Sequence, residues 1–455
     1  MVEIGQQYQL NIADLNHQGE GVGRLTGLTV FVEGALPGDL VQAEIIDIKR
    51  NYARAKIVEL LKSGSDRIVG DCPIMDVCGG CQLRNFRYPA QLEWKRNQVY
   101  QALRRIGRLG EIEVNPVLGM EPPNYYRNKS EYHVGSQDGS VVLGFYQSAS
   151  HQVVAVPAEG CRLQQAPHNR VITILGQLLR ELGLAPYDRK TKRGVLKGVL
   201  IRSSRLNGEV MVVLVTPKQT LPQKEKLVQQ LLARLPEVVS LYQSIQPRGY
   251  GPFLGDRLLH LAGEPVIIDK IGDYRFQISP YSFFQVNSAQ TVVLYKKAVE
   301  FAGLTGQETV LDLYCGIGTI TLFLARKCRR VIGIEEVDQA VQDARVNAEL
   351  NGVNNVEFRS GKVEKVLPDL LNQGVVPDVV VLDPPRAGAD PEVLEAITAT
   401  KAKRVVYVSC NPATLARDLR LLVERGYEVQ EVQPVDMFPQ VAHVECVVLM
   451  SRVEK

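Results

Sequence analysis

The chain of 455 residues is 45% hydrophobic and 23% charged, enough for two to four domains around a large core. No apolar run approaches the ~20 residues of a membrane span and no charged leader precedes an apolar core, so a membrane role is excluded and a cytoplasmic one expected. The net charge of +3 is mild but unevenly spread, and the eight cysteines of a cytoplasmic chain point to metal or catalytic roles rather than disulfides.

Residues 1–61 read as short strands parted by glycines: Gln7 to Ile12, Gly19 to Gly23, Leu28 to Val32 and Leu40 to Ile45. Strands this short at this spacing predict a small β-barrel. The run His17-Gln18-Gly19-Glu20-Gly21-Val22-Gly23, followed by Val32-Glu33-Gly34-Ala35-Leu36-Pro37-Gly38-Asp39, resembles the TRAM domain, an OB-like RNA-binding module. Up to Ile48 the only Lys or Arg is Arg24, so the RNA face is expected toward Lys49 to Lys56. Further basic clusters follow at Arg84 to Arg108 and Arg189 to Arg205, interleaved early on with Phe86, Tyr88 and Trp94. That mixture suits a phosphate backbone with bases to stack on, although a solvated basic face is the plainer reading of any one cluster.

Residues 62–270 are assigned to a central domain. Cys72, Cys78 and Cys81 fall within ten residues, the last two flanking Gly79-Gly80, and Cys161 follows downstream. Four thiols suit one soft metal centre, zinc or iron–sulfur. The gap of five residues between Cys72 and Cys78 is wider than usual zinc spacing, which favours a [4Fe–4S] cluster, with zinc and then unligated core cysteines as the alternatives. Gln91 to Gly107 reads as an amphipathic helix with an arginine face. Beyond it, strands are expected at Val141 to Tyr146, Val195 to Ile201 and Val210 to Val215, and helices at Val171 to Leu182 and Gln223 to Leu235. Tyr125-Tyr126-Arg127-Asn128-Lys129 reads equally as an RNA clamp or a surface turn.

Residues 271–455 alternate strands, loops and helices in the Rossmann-like manner. Val310 to Leu313 feeds the loop Tyr314-Cys315-Gly316-Ile317-Gly318, and Glu335 ends the next strand, where it can bind ribose hydroxyls. Thr321 stands where a dinucleotide fingerprint has its third glycine, which favours a phosphate-free adenosine cofactor, S-adenosylmethionine. Val379 to Leu382 ends at Asp383-Pro384-Pro385, and Val405 to Ser409 ends at Cys410-Asn411-Pro412. Ligands collect beyond the carboxyl ends of such strands, so polar groups at Asp312, Glu335, Asp383 and Cys410 mark a site.

The set Ser282-Phe283-Phe284-Gln285-Val286-Asn287, Asp312 to Gly318, Asp383-Pro384-Pro385-Arg386-Ala387-Gly388, Ser409-Cys410-Asn411-Pro412 and Asp436 to Glu445 resembles the RNA 5-methyluridine methyltransferases. With the TRAM-like start and the cysteine motif, the resemblance is to the branch acting on 23S ribosomal RNA more than to the transfer-RNA branch. It implies cofactor contacts from Gln285, Tyr314, Glu335 and Asp383, Cys410 as nucleophile, Glu445 as general base, and packing of the Gln91 to Gly107 helix on the catalytic domain. The architecture expected is α/β: barrel, central α+β domain and methyltransferase domain, binding RNA, with no membrane and no obligate protein partner. The competing readings are an N-methyltransferase, which needs no thiol, and a non-enzymatic ribosome-binding factor.

Overall fold

A computed structural model of the chain describes residues 2–148, 150–249 and 251–453. The N-terminal six strands form one sheet in the order Gln7–Asn11, Leu40–Ile48, Tyr52–Lys62, Leu28–Glu33, Gly21–Leu25 and Asp14–Leu15. Period-two burial fills its interior: Val41, Ala43 and Ile45 from one strand meet Val30, Val32, Ala53 and Ala55 from its neighbours. Gly21 is required by close approach, since a Cβ there would come within 2.8 Å of Ala35. The strand Tyr52–Lys62 extends past the expected elements. It also changes the reading of the basic run, because Lys49, Arg54 and Lys56 each pair with a carboxylate of the barrel itself, Asp47, Glu20 and Glu44.

The central sheet has seven strands, ordered Arg257–Gly263, Val238–Ile245, Val210–Thr216, Gly198–Ser203, Lys129–Gln137, Ser140–Tyr146 and Val153–Ala155. Helices Ala166–Glu181 and Lys224–Arg234 cover one face, where Val171, Leu175, Leu227 and Leu231 meet Tyr132, Val199 and Val212. From the other face Leu200, Met211 and Val213 enter the core of the C-terminal half. Four of these strands, Lys129–Gln137, Val153–Ala155, Val238–Ile245 and Arg257–Gly263, were not anticipated from the sequence; in the first, Lys129, Glu131 and His133 alternate with the buried Ser130, Tyr132 and Val134.

The C-terminal sheet positions the site. Its strands are β1 (Thr309–Leu313), β2 (Arg330–Glu335), β3 (Val356–Ser360), β4 (Val379–Leu382), β5 (Arg404–Ser409), β6 (Tyr427–Val435) and β7 (Glu445–Arg452). They lie in the order β3-β2-β1-β4-β5-β7-β6, with β1 to β5 parallel and β7 antiparallel to both neighbours. Both faces are covered by helices, which is why β1, β4 and β5 read as near-continuous apolar runs. Val310, Val379, Val381, Val406, Val408 and Val447 face one core. Leu311, Leu313, Val380, Leu382, Tyr407 and Cys446 face the other.

The expected helix Gln91 to Gly107 runs as an α-helix over Tyr88–Ala102 and closes in one π-turn, Leu103–Gly107. Val99, Ala102 and Leu103 pack into the second core beside Leu415 and Leu419. Its face is not uniformly basic and exposed, since Lys95 points inward and is wholly buried, paired with Asp436 at 2.6 Å. Among the described residues no helix is long and apolar enough to cross a membrane.

Candidate active site

Strand parity brings the strand-end groups together. Asp312, Asp383 and Cys410 continue the odd-even pattern of Val310, Val381 and Val408, so they fall on the face covered by the helix Ser288–Ala302. The β5–β7 ladder ends at Ser409 paired with Cys446, so the next rung sets Cys410 against Glu445. Cys446 faces the opposite core, and Cys315 is buried beneath the glycine loop, so neither rival thiol shares that position.

The carboxylates are crowded and dry. Burial, and then the charge of Asp383, pushes the Glu445 carboxyl well above its usual range, while Arg386 pulls it back. Burial raises Asp383 too, and raises Asp312 to about 7. The Cys410 thiol is pushed up to about 11 by burial, then by Glu445 and Asp383, against the opposing charge of Arg386. Tyr295, buried on the helix Ser288–Ala302, feels Asp383, Asp312 and Glu445 and shares a 2.9 Å hydrogen bond with Thr319. Neither Tyr295 nor Arg386 was singled out from sequence. Leu294-Tyr295 at helical spacing looks like core, and Arg386 is one cation among 53.

Around the glycine loop, Tyr314 adopts a left-handed backbone (φ 65°) and Gly316 another (φ 55°). The Glu335 carboxylate accepts from the Gly316 amide at 3.1 Å and the Val337 amide at 2.9 Å, tying β2 to the loop. A Cβ on Gly316 would meet nothing within 4 Å, so open space lies beside the loop. Asp312 accepts from the Thr321 hydroxyl with one carboxylate oxygen, while its Oδ1 is buried without a partner. An open cradle with an unsatisfied acceptor suits the amine-bearing, phosphate-free S-adenosylmethionine. Gln285 is buried at the entry to the helix Ser288–Ala302, its carbonyl accepting from the Asn128 side chain at 3.0 Å.

The loop leading to Glu445 is fastened carbonyl by carbonyl. Asp436 accepts from Gln290 (3.1 Å), Met437 from Asn287 (3.1 Å), Phe438 from Lys95 (3.0 Å) and Pro439 from Tyr126 (3.0 Å). Tyr126 is thus a fully buried strut and not an exposed clamp, and its neighbour Arg127 lines the cysteine cavity.

Cys72, Cys78, Cys81 and Cys161 all line one cavity of about 330 Å³. Among the described residues, no three His, Cys, Asp or Glu side chains stand as the ligands of a single metal ion, so the expected metal centre is seen only as a shared cavity. The chemistry of the lining fits an anionic thiolate-bound cluster, since Arg84, Arg127, Lys129 and Arg162 share the wall. Burial pushes the Cys81 thiol up to about 12 against the pull of Arg84. Gly79 serves by close approach, since a Cβ there would lie 3.3 Å from the Tyr146 carbonyl.

The fold and the glycine-loop site define an S-adenosylmethionine-dependent methyltransferase with an added N-terminal barrel. The family model described as tRNA (uracil-5-)-methyltransferase matches residues 88–453, and that of the TRAM domain matches residues 2–58. The chain belongs to the tRNA (uracil-5-)-methyltransferase family and is an RNA methyltransferase. It is 44% identical to an uncharacterised RNA methyltransferase of Oceanobacillus iheyensis over 98% of this chain and 96% of that one. A second, from Caldanaerobacter subterraneus subsp. tengcongensis, is 45% identical over 99% of both. Among solved structures, the Pyrococcus abyssi tRNA (uracil-54, C5)-methyltransferase, crystallised with S-adenosyl-L-homocysteine, is similar with a TM-score of 0.77 and 28% identity, over 97% of this chain and all of that one. Membership removes the reading of the sheet as a non-enzymatic platform.

Proposed function

We propose that the protein methylates C5 of a uridine in 23S ribosomal RNA through a covalent adduct with Cys410. The reading is carried by the facing of Cys410 and Glu445 across the last rung of β5 and β7. C5 of uracil is a poor nucleophile until C6 carries a substituent. The Cys410 thiolate adds to C6, and the C5=C6 electron pair becomes that of an enolate at C5. Bound S-adenosylmethionine supplies the electrophilic methyl group that C5 takes up. Glu445 then accepts the C5 proton, the C5=C6 bond re-forms and the Cys410–C6 bond breaks. Gln285, Tyr314, Glu335 and Asp383 are proposed as the cofactor contacts, the last beside the reacting centre.

Cys72, Cys78, Cys81 and Cys161 would hold a [4Fe–4S] cluster, whose part is to brace the 72–81 loop against the segment at Cys161. The domain limits proposed are 1–61, 62–270 and 271–455. The ribosomal substrate rests on the barrel and cysteine cavity together. Full-length likeness to the Pyrococcus abyssi enzyme favours transfer RNA as a second reading. Incubation with methyl-labelled S-adenosylmethionine and, separately, 23S and transfer RNA decides between them once the digests are searched for 5-methyluridine. Label in 23S RNA supports the proposal, label only in transfer RNA replaces the substrate, and no label in either sinks the reaction.

A further inference from the structure

On the open part of the central sheet's inner face lies a second cleft, of about 930 Å³, which no step above uses. Its floor is aromatic. His133 and Tyr146 stack at 3.6 Å between ring centroids and 14° between planes, and Phe253 meets His133 edge-on at 5.5 Å. His151 meets Tyr146 edge-on at 5.2 Å. Burial, followed by the charge of Arg189, holds the His133 imidazole down at about 4.

Its rim is cationic. The turn between Pro186 and Leu196 carries Arg189, Lys190, Lys192 and Arg193, of which Arg189 and Lys190 line the cleft together with Lys197 and Arg248, and Asp188 is the turn's one carboxylate. Asp188 is occupied within the turn, accepting from the Thr191 amide at 2.6 Å and its hydroxyl at 3.0 Å. Arg189 bends over the floor, donating to the Tyr146 hydroxyl at 2.8 Å with its guanidinium 5.8 Å from the ring centroid. Glu131, the other acid of the cleft, pairs with Lys129 at 2.9 Å. Among the described residues, no ion pair engages the four cations of the turn.

The cleft adjoins the cysteine cavity: Glu131 lines both, and Val286, the neighbour of Gln285, also lines the cavity. From Lys129 to His133 is four residues of one strand, ~13 Å. We propose that the cleft holds an unpaired segment of the substrate RNA flanking the target uridine, a base lying on the Tyr146–His133 floor and the phosphates meeting Arg189 and Lys190. Aromatic planes under a cationic rim are what unpaired bases and their backbone require, whereas a duplex hides its base faces. The inference rests on RNA being the substrate and not on the chemistry at Cys410.

The test is fluorescence anisotropy of a labelled oligouridylate titrated with the full chain at several salt concentrations. Arg189→Gln/Lys190→Gln removes two rim charges together with the Arg189–Tyr146 contact, and Tyr146→Leu removes the stacking plane. Each is expected to weaken binding about 10-fold with an unchanged thermal melt, and the charge variant to flatten the log–log salt slope by about 1.4. Photocrosslinks should map to the peptides around 141–148 and 184–197. Wild-type affinity and salt slope in the charge variant, or crosslinks confined to other parts of the chain, would overturn the proposal. If the binding losses appear while no 5-methyluridine forms, the cleft stands and the proposed reaction fails.

Discussion

Cys410 and Glu445 stand on neighbouring antiparallel strands, one rung beyond the Ser409–Cys446 pair that closes the β5–β7 ladder. On the proposed mechanism, a base on that rung reaches the ring that the sulfur holds. After burial, Glu445 raises the proton affinity of the Cys410 thiol, and Asp383 raises that of Glu445.

Cys410→Ala is expected to lower methyl transfer by ~10³-fold or more. Glu445→Gln should differ in kind, because addition and methylation precede the proton step. A protein–RNA band stable to denaturing electrophoresis is expected for Glu445→Gln and none for Cys410→Ala. A Glu445→Gln enzyme that turns over without an accumulating adduct would rule out Glu445 as the base.

The free Cys410 thiol, raised to about 11 chiefly by burial, should react with iodoacetamide at neutral pH far more slowly than an unburied cysteine. Arg386→Ala removes the one cation that opposes this and should slow alkylation further. Mass spectrometry of the peptide holding Cys410 gives both rates, and labelling faster than that of free cysteine would refute the picture.

Asp312 and Glu445 make stability depend on pH in a direction set by their raised values. Between the ordinary carboxyl range near ~4 and the raised one, the folded protein binds more protons than the unfolded chain. Their contribution is therefore intact at low pH and lost as pH rises, for Asp312 through about 7. Asp312→Asn should thus gain stability relative to wild type between pH ~5 and ~8, by an amount on the order of a few kcal/mol, and Glu445→Gln should do the same. Melting curves across that range check the sign.

Lys95 and Asp436 are both wholly buried and 2.6 Å apart, and Lys95 also holds the Phe438 carbonyl. Lys95→Met leaves a carboxylate buried without its cation and should cost about 3–5 kcal/mol in urea unfolding. Adding Asp436→Asn removes the stranded charge and should recover part of it. Equal losses in the single and double variants would mean that packing, not charge, is at stake.

The methyltransferase half was legible because parallel strands buried on both faces must be apolar runs, and groups at their carboxyl ends stand out against them. Asp312, Asp383 and Cys410 could be put at one sheet edge from sequence alone, since strand parity is a local property of the chain. The inward turn of Lys95 was not legible, because a lysine at that position reads as solvated until Asp436, 341 residues away, meets it. The same holds for Arg54 and Lys56 of the basic run, paired with Glu20 and Glu44 on barrel strands that only the fold brings alongside. Tyr126 looked like a surface aromatic and became a strut for the Glu445 loop. Sequence determines which residues can do chemistry and on which side of a strand they fall. Which charges remain free, and which thiols share a cavity, depends on long-range neighbours whose desolvation and pairing exist only in the folded molecule.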